Sequence, residues 1–180
     1  MSEETENMVP EPETKQVDPL IEKLQSQFGE DINNAYESYG MKTIVVSHDR
    51  VFEIMKFLKE TPDLNYHFLT DECGIHYPFN KGQELGVVYH LHNMMSNNRL
   101  RVETFFSSEN PVIDSMTPLW PAANWMERET YDFYGIIFEG HPGLKRILNV
   151  DDMDYFQMLK QYPLEDGTRE DKNDVMFGRS

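Results

Sequence analysis

The regular alternation of side chains in residues 99–106 limits the choice of fold more than any other feature of this sequence. One side of an extended chain here would carry Leu100, Val102, Thr104 and Phe106. The opposite side would carry Arg99, Arg101 and Glu103. A period of two predicts an antiparallel strand that packs one face on a core and turns the other to solvent.

Two earlier segments have the residues that begin and end helices. Asp18 is placed to cap a helix that starts at Pro19 and stops at Gly29, because proline suits the first helical position and glycine suits the end. A second helix is predicted to have Asp49 as its cap and to close at residues 61–62, which are Thr-Pro. Its apolar residues recur at helical spacing: Val51, Ile54, Met55 and Leu58.

Strands are predicted at residues 32–39, 42–47, 66–70 and 85–92, with turns at residue 40 and around residues 80–82. A short helix is predicted over residues 122–134, ended by Gly135. Helices combined with a strand meander and short loops favour an α+β architecture over a doubly wound sheet. We therefore expect helices packed on a small mixed, mainly antiparallel sheet, followed by a short helix and an extended C-terminal arm.

The 180 residues are enough for one domain of ordinary size with tails. Residues 1–17 are acidic and interrupted by two prolines, which predicts a disordered tail. Residues 18–150 are predicted to form the domain. Residues 151–180 hold eight acidic and four basic residues with little periodicity, so we expect an extended arm that needs a partner.

Charge and composition exclude several classes of protein. The chain has 16 Lys and Arg against 32 Asp and Glu, a net charge of −16, which argues against binding to nucleic acid or to anionic lipid. One cysteine, Cys73, excludes an internal disulfide and an iron–sulfur cluster ligated within this chain, and we expect it to be a buried thiol. The longest apolar run is about five residues, against roughly 18 for a membrane helix. The acidic start is unlike a signal or transit peptide, so we expect a soluble protein on the cytoplasmic side.

The densest polar cluster of the sequence lies in and just after the predicted helix 122–134. It consists of Glu127, Arg128, Glu129, Asp132 and His141. One hypothesis makes Glu129 or Asp132 a general base and His141 an acid. The more common arrangement is a charged helix end, in which Arg128 pairs with Asp132 four residues on.

Two other pairs of residues are candidates for binding. His90 and His92 would point to the same face of a strand, but a metal needs a further ligand that the sequence does not supply, so a half-buried or exposed pair is favoured. Lys145 and Arg146 follow an apolar and aromatic stretch, where a docking site and a solvated loop are equally well supported. Glycine-rich phosphate or dinucleotide loops are absent from the sequence.

Residues 125–136 (WMERETYDFYGI) and 138–148 (FEGHPGLKRIL) strongly resemble the 30 kDa-type (Nqo5) subunit family of NADH:quinone oxidoreductase, respiratory complex I. That family has an ERE-x-x-D core followed by FG-I-x-F-x-GHP-x-L-[RK]-R-[IL]-L. The upstream VVYHL, RLRV and LWPAANW segments are similar as well, so the resemblance covers residues 18–150. Tyr134 stands where phenylalanine is commoner, and Gly143 where an acidic residue is commoner.

The resemblance implies a peripheral, non-catalytic subunit on the cytoplasmic face of the bacterial inner membrane. Such a subunit binds no cofactor; FMN, the iron–sulfur clusters and quinone belong to partner subunits. It is similar to a clamp on the large quinone-site (D) subunit, near the cluster-carrying subunits B and I, in an assembly that couples electron transfer from NADH to proton translocation. Alternatives are the related subunit of a membrane-bound [NiFe]-hydrogenase or of a ferredoxin-dependent quinone reductase, or a stand-alone acid–base enzyme.

Aromatic residues and arginine are enriched in the cores of protein interfaces, and both are dense in the matched region. The predicted partner interface consists of Trp125, Glu127, Arg128, Glu129, Asp132, His141, Pro142, Lys145 and Arg146.

Overall fold

Three α-helices and seven strands follow one another along residues 18–162, the part of the chain that a computed structural model describes. The helices are α1 (Pro19–Phe28), α2 (Val51–Glu60) and α3 (Ala123–Tyr134). The strands are β1 (Ile32–Ser38), β2 (Met41–Val46), β3 (Phe68–His76), β4 (Leu85–Asn93), β5 (Asn98–Phe106), β6 (Val112–Asp114) and β7 (Ile137–Glu139). Single turns of 3₁₀-helix, Gly29–Asp31 and His48–Arg50, precede β1 and α2.

The main sheet has the order β1-β2-β5-β4-β3. The hairpin β1–β2 and the meander β3–β4–β5 are antiparallel, while β5 runs parallel to β2. A second, two-stranded sheet pairs β6 with β7 in parallel. The predicted α+β fold with a mixed, mainly antiparallel sheet is confirmed, although β5 itself has one antiparallel and one parallel neighbour.

The alternation of residues 99–106 determines which face of the sheet is covered. Leu100, Val102, Thr104 and Phe106 are all buried, as the period of two predicted. The three apolar members belong to one core cluster with Leu24 of α1, Met55 of α2 and Ala123 of α3. On the opposite side, Arg99 is exposed and Arg101 and Glu103 are partly exposed. The helices therefore cover a single face of the sheet.

The ends of α1 and α3 agree with the prediction, and the start of α2 does not. Asp18 Oδ1 accepts a hydrogen bond from the Leu20 amide at 2.9 Å, and Gly135 closes α3 in the left-handed region with φ +77°. Asp49 does not cap α2: Arg50 occupies the cap position without a side-chain hydrogen bond. The 3₁₀ turn that contains Asp49 leads directly into the helix, so the side chain of Asp49 lies too early to reach the first free amides.

The strand predicted at residues 66–70 begins later and runs further than expected. Tyr66 lies in the preceding loop, where its amide donates to the Leu58 carbonyl at 3.0 Å. The strand β3 continues through Glu72, Cys73 and Gly74 because β4 pairs with it along this length. Cys73 is exposed there, so the prediction of a buried thiol was wrong.

The predicted acidic tail, residues 1–17, and residues 163–180 of the predicted arm lie outside the described residues. The described beginning of the arm, residues 151–162, lies against the domain. The amide of Met158 donates to the Phe133 carbonyl at 3.1 Å, and the amide of Lys160 donates to Nδ1 of His76 at 3.0 Å. The boundary at residue 150 stays a prediction.

The helix α3 approaches β3 most closely at Gly74. A β-carbon on Gly74 would lie 2.5 Å from Cδ2 of Tyr134 and 2.9 Å from Cγ2 of Thr130. A glycine at this position allows the helix to sit directly on the strand.

Replacing Gly74 by alanine is therefore expected to lower the free energy of unfolding by about 1–3 kcal/mol, because the added methyl group pushes α3 off the sheet. Chemical denaturation of the two proteins measures the effect. The matched control is Gly143→Ala, since a β-carbon there meets nothing within 4 Å and its φ is not positive. Equal stability of the two variants would contradict the close contact.

Candidate functional site

The residues predicted to form the partner interface lie on α3 and on the loop of residues 140–149, which packs beside that helix. Four of them are exposed: Trp125, Glu129, Pro142 and Lys145. Arg128, His141 and Arg146 are partly buried, and Glu127 and Asp132 have no exposed surface. The structure thus brings all nine residues into one region and divides them into an exposed set and a supporting set. Their role as a partner interface stays a prediction.

Asp132 connects α3 to the loop. Its Oδ2 accepts hydrogen bonds from three consecutive backbone amides, those of residues 147–149, at 3.1, 2.8 and 2.9 Å. Its Oδ1 accepts from Nη1 of Arg146 at 2.7 Å and from Nδ2 of Asn149 at 3.0 Å. Burial alone would raise the pKa of Asp132, but these hydrogen bonds outweigh burial and hold the pKa well below its usual range. Asp132 is therefore ionised at neutral pH.

Arg146 extends this connection to the start of the C-terminal arm. Its Nη2 donates to the carbonyls of Met153 at 2.8 Å and Tyr155 at 3.2 Å. The guanidinium carbon lies 5.0 Å from the centroid of the Phe156 ring, a cation–π distance. Phe156 in turn packs against Gly135 at the end of α3, where a β-carbon would lie 2.6 Å from the ring. One arginine therefore joins the helix, the loop and residues 153–156.

The expected pair between Arg128 and Asp132 does not form, because loop amides and Arg146 already occupy both oxygens of Asp132. Arg128 instead donates from Nε to the Lys145 carbonyl at 3.2 Å and from Nη2 to the Arg146 carbonyl at 3.1 Å. Its guanidinium carbon lies 5.1 Å from the ring centroid of Trp125. Arg128 thus fixes the loop backbone on one side and an exposed indole on the other.

Glu127 is buried in the contact made by α3 and is not part of a charged helix end, which was one interpretation of the sequence. Its Oε1 accepts from the Met116 amide at 2.6 Å, and its Oε2 accepts from the Ser115 hydroxyl at 2.7 Å. Burial raises the pKa of Glu127 to about 7, although these two hydrogen bonds oppose the shift. Glu127 therefore ties α3 to the segment after β6.

His141 holds the beginning of the loop on α3. Its Nδ1 accepts from the Gly143 amide at 2.9 Å, so the ring proton lies on Nε2, which donates to the Asn124 carbonyl at 3.1 Å. Both ring nitrogens are occupied within the chain. An acid–base role would require this side chain to leave both partners.

The other candidate residues lie elsewhere on the sheet. His90 and His92 are both on β4, where His92 Nε2 lies 3.1 Å from Asn97 Oδ1. Within residues 18–162, no group of three or more His, Cys, Asp and Glu side chains is arranged to hold a metal ion. Cys73 is exposed as a residue, but neighbouring groups desolvate its sulfur; this desolvation, together with the acidic side chains of Asp71, Glu72 and Glu129, raises the pKa of the thiol to about 11, so it is protonated at neutral pH. None of the helices in this range is long and apolar enough to cross a membrane.

Sequence reasoning missed three contributors to the region. The amides of residues 147–149 bind Asp132 through the backbone, which leaves no residue pattern to find. Ser115 binds Glu127 from twelve residues upstream, and Glu72 is buried on β3 although it lies beyond the predicted strand.

Comparison with known proteins places the chain among components of respiratory complexes. The family described as "Respiratory-chain NADH dehydrogenase, 30 Kd subunit" matches residues 44–168. The NADH-quinone oxidoreductase C subunit of Roseiflexus castenholzii is 36% identical over 145 residues, which cover 81% of this chain and 83% of that protein. The protein of the same name from Citrifermentans bemidjiense is 37% identical over 150 residues, which cover 83% of this chain and 91% of that protein.

Two solved structures have a similar fold. One is Nqo5, as its trypsin-resistant fragment (1-134), with a TM-score of 0.60 and 30% identity over 69% of this chain and 98% of that chain. The other is a chain of the membrane-bound sulfane sulfur reductase, an archaeal respiratory membrane complex, with a TM-score of 0.66 over 81% of this chain and 84% of that chain. Its identity of 18% indicates a shared fold alone.

Replacing Asp132 by asparagine is expected to destabilise the chain by about 3–5 kcal/mol near neutral pH, because Arg146 would lose its buried counter-charge. A depressed carboxyl pKa contributes stability above its unfolded value of about 3.9, and this contribution is lost as pH falls through the folded pKa. The difference in stability between wild type and variant should therefore narrow below about pH 4. Thermal unfolding as a function of pH measures it, with the exposed Asp154→Asn as control. A gap that stayed constant with pH would argue against the charged network.

Proposed function

This chain belongs to the family of the respiratory-chain NADH dehydrogenase 30 kDa subunit, and we propose that it is a non-catalytic structural subunit in the peripheral arm of a proton-pumping NADH:quinone oxidoreductase. The observation that carries the proposal is the Asp132–Arg146 network. It uses the polar groups of α3 and the loop to fix their backbones. Two of the three candidate acid–base groups, Asp132 and His141, already have partners inside the chain, which suits a docking surface better than an active site.

The exposed members of the region form the proposed contact surface. Trp125 is 62% exposed and has its indole stacked near the Arg128 guanidinium, so its position is set before a partner arrives. Glu129 and Lys145 add charges of both signs beside it. An aromatic anchor with nearby charges is typical of the centre of a protein interface.

The partners of this surface are the quinone-site (D) subunit and the neighbouring cluster-carrying subunits B and I. The relatives are named as subunits of NADH-quinone oxidoreductase, and one structural neighbour is part of a respiratory membrane complex, which supports a hetero-oligomer. FMN, the iron–sulfur clusters and quinone are held by partner subunits of the assembly. This chain contributes one cysteine among its 180 residues, too few to ligate a cluster.

The chain is proposed to meet the membrane only through these partners, on the cytoplasmic face of the bacterial inner membrane. A net charge of −16 opposes direct binding to anionic lipid. The related subunit of a hydrogenase or of a ferredoxin-dependent quinone reductase is a weaker proposal. The named relatives of NADH-quinone oxidoreductase are 36–37% identical to this chain, whereas the sulfane sulfur reductase chain is 18% identical.

Replacing Trp125 by alanine is expected to reduce assembly without harming the isolated chain. The side chain is largely exposed, and its stacking on Arg128 is worth about 0.5–1 kcal/mol, so the melting temperature should change little. Removing a buried interface anchor weakens association by roughly tenfold or more. Native gels of membrane extracts, read beside NADH:quinone reductase activity per assembled complex, measure both effects. Phe79→Ala, another exposed aromatic but in the β3–β4 connection, is the control.

The scaffold proposal expects fewer complexes, each with normal turnover. Normal amounts of complex with a collapsed turnover would instead indicate catalysis by this region.

The purified chain is also expected to bind no flavin, nicotinamide, iron–sulfur cluster or metal. An absorption spectrum and elemental analysis of the isolated protein test this expectation, and a stoichiometric chromophore or metal would overturn it.

A further inference from the structure

Three buried polar side chains lie on the covered face of the main sheet, and the strand that carries one of them, β3, packs against α3. Glu72 on β3 is 3% exposed, and Tyr89 on β4 and Thr104 on β5 have no exposed surface. Among the described residues, neither carboxylate oxygen of Glu72 has a hydrogen-bond partner, and the hydroxyls of Tyr89 and Thr104 have none either. Burial of a charged carboxylate without a partner is strongly unfavourable, so the ionised form of Glu72 is the costly one.

The charged groups that face Glu72 are negative. Glu127 faces it from α3, and Asp71 acts on it from the same strand. Tyr89 is the cross-strand neighbour of Glu72, and the negative charges of Glu72, Glu127 and Asp114 of β6 all act on its hydroxyl. A single cation close to Glu72 would relieve this repulsion, but the groups that act on it from each packed element are all acids or a phenol.

We propose that Glu72 and Glu127 together form a buried proton-binding site between β3 and α3, and that this site holds one proton at neutral pH. The proton comes from solvent as the chain folds. With this proton bound, the two carboxyl groups between the sheet and α3 carry one negative charge instead of two. Glu127 already has two hydrogen-bond donors for a charged carboxylate, whereas Glu72 has none, so the proton resides mainly on Glu72.

The directions of the titration agree with this geometry. Burial, followed by the charges of Glu127 and Asp71, raises the pKa of Glu72 well above its usual range, and burial raises the pKa of Glu127 to about 7. A raised carboxyl pKa contributes stability that is complete below the unfolded value near 4.3 and is lost as pH rises through the folded value. The contact between α3 and the sheet therefore weakens as pH rises from the acidic range through neutrality.

This weakening has a consequence for the surface carried by α3. Trp125 and Glu129 belong to the same helix as Glu127. This helix, α3, packs against β3 at Gly74, two residues from Glu72. Loss of the proton places two like charges in this contact. The position of the exposed residues on α3 therefore depends on pH, although the proton-binding site itself is buried.

The direct test is a ¹³C NMR titration of the side-chain carboxyl carbons in the full-length wild-type chain. Spectra of Glu72→Gln and Glu127→Gln assign the two signals. The proposal expects the Glu72 signal to be that of a protonated acid at about pH 6–7, and the Glu127 signal to move when Glu72 is replaced. Ordinary titration of both groups near their unperturbed value would overturn it.

A second measurement compares melting temperatures at about pH 5 and about pH 8. Wild type is expected to lose stability over this interval, and Glu72→Gln to lose clearly less and to melt above wild type at the higher pH. Glu60→Gln, an exposed carboxyl at the end of α2, should follow wild type. Equal losses in wild type and Glu72→Gln would refute the site. If Glu72→Gln fails to fold at both pH values, the wild-type titration, assigned through Glu127→Gln, decides the question.

Discussion

The C-terminal half of this structure depends on the hydrogen-bond network around the buried carboxylate of Asp132. This carboxylate lies without exposed surface at the meeting point of a helix, a loop and the start of the arm, and it accepts five hydrogen bonds. Removing a charge from water is costly unless an opposite charge and well-aligned donors replace the lost hydration, and Arg146 and the loop amides do so here. Since the network closes within one chain, the exposed side chains beside it are ordered before any partner binds, which lowers the entropy lost on association.

Two carboxyl groups on the same helix are both fully buried, but their surroundings shift their pKa values in opposite directions. Asp132 has an arginine and three consecutive amides, so its charged form is stabilised. Glu127 has a hydroxyl and one amide but no cation, and a second acid faces it from the sheet. The difference shows that burial alone does not determine the charge of a buried acid. What decides it is whether a cation reaches the site.

Local patterns predicted the parts of the fold that depend on local chemistry. The cap at Asp18, the stop at Gly135 and the alternation in β5 were all readable, since each depends on residues within one or two turns. The length of β3 was not, because residues 72–74 are extended through pairing with β4 and not through their own preference.

The candidate site shows the same division. The helical spacing rule assigned Arg128 to Asp132, but the true partner, Arg146, arrives from a loop fourteen residues away. The sequence located the region correctly as residues 125–146 but could not separate exposed from buried members, because burial depends on how the loop folds back over the helix. Glu127 shares a face of α3 with the buried Ala123 and Thr130, but the Ser115 hydroxyl and the Met116 amide that bind its carboxylate come from a segment that no local pattern identifies.

The parallel pairing of β2 with β5 determines when the sheet can be completed. Lys42 lies opposite Leu100, so the middle of the sheet joins two segments that are distant in sequence. The ribosome synthesises the second segment well after the first. The β1–β2 hairpin forms from neighbouring residues, but the edge of β2 has no partner until β5 has been synthesised. Contacts of such long sequence separation slow folding, and an unpaired strand edge is a site for association with other chains. A nascent chain that pauses before residue 98 therefore displays an open edge, and the last strand of the meander is the one that closes it.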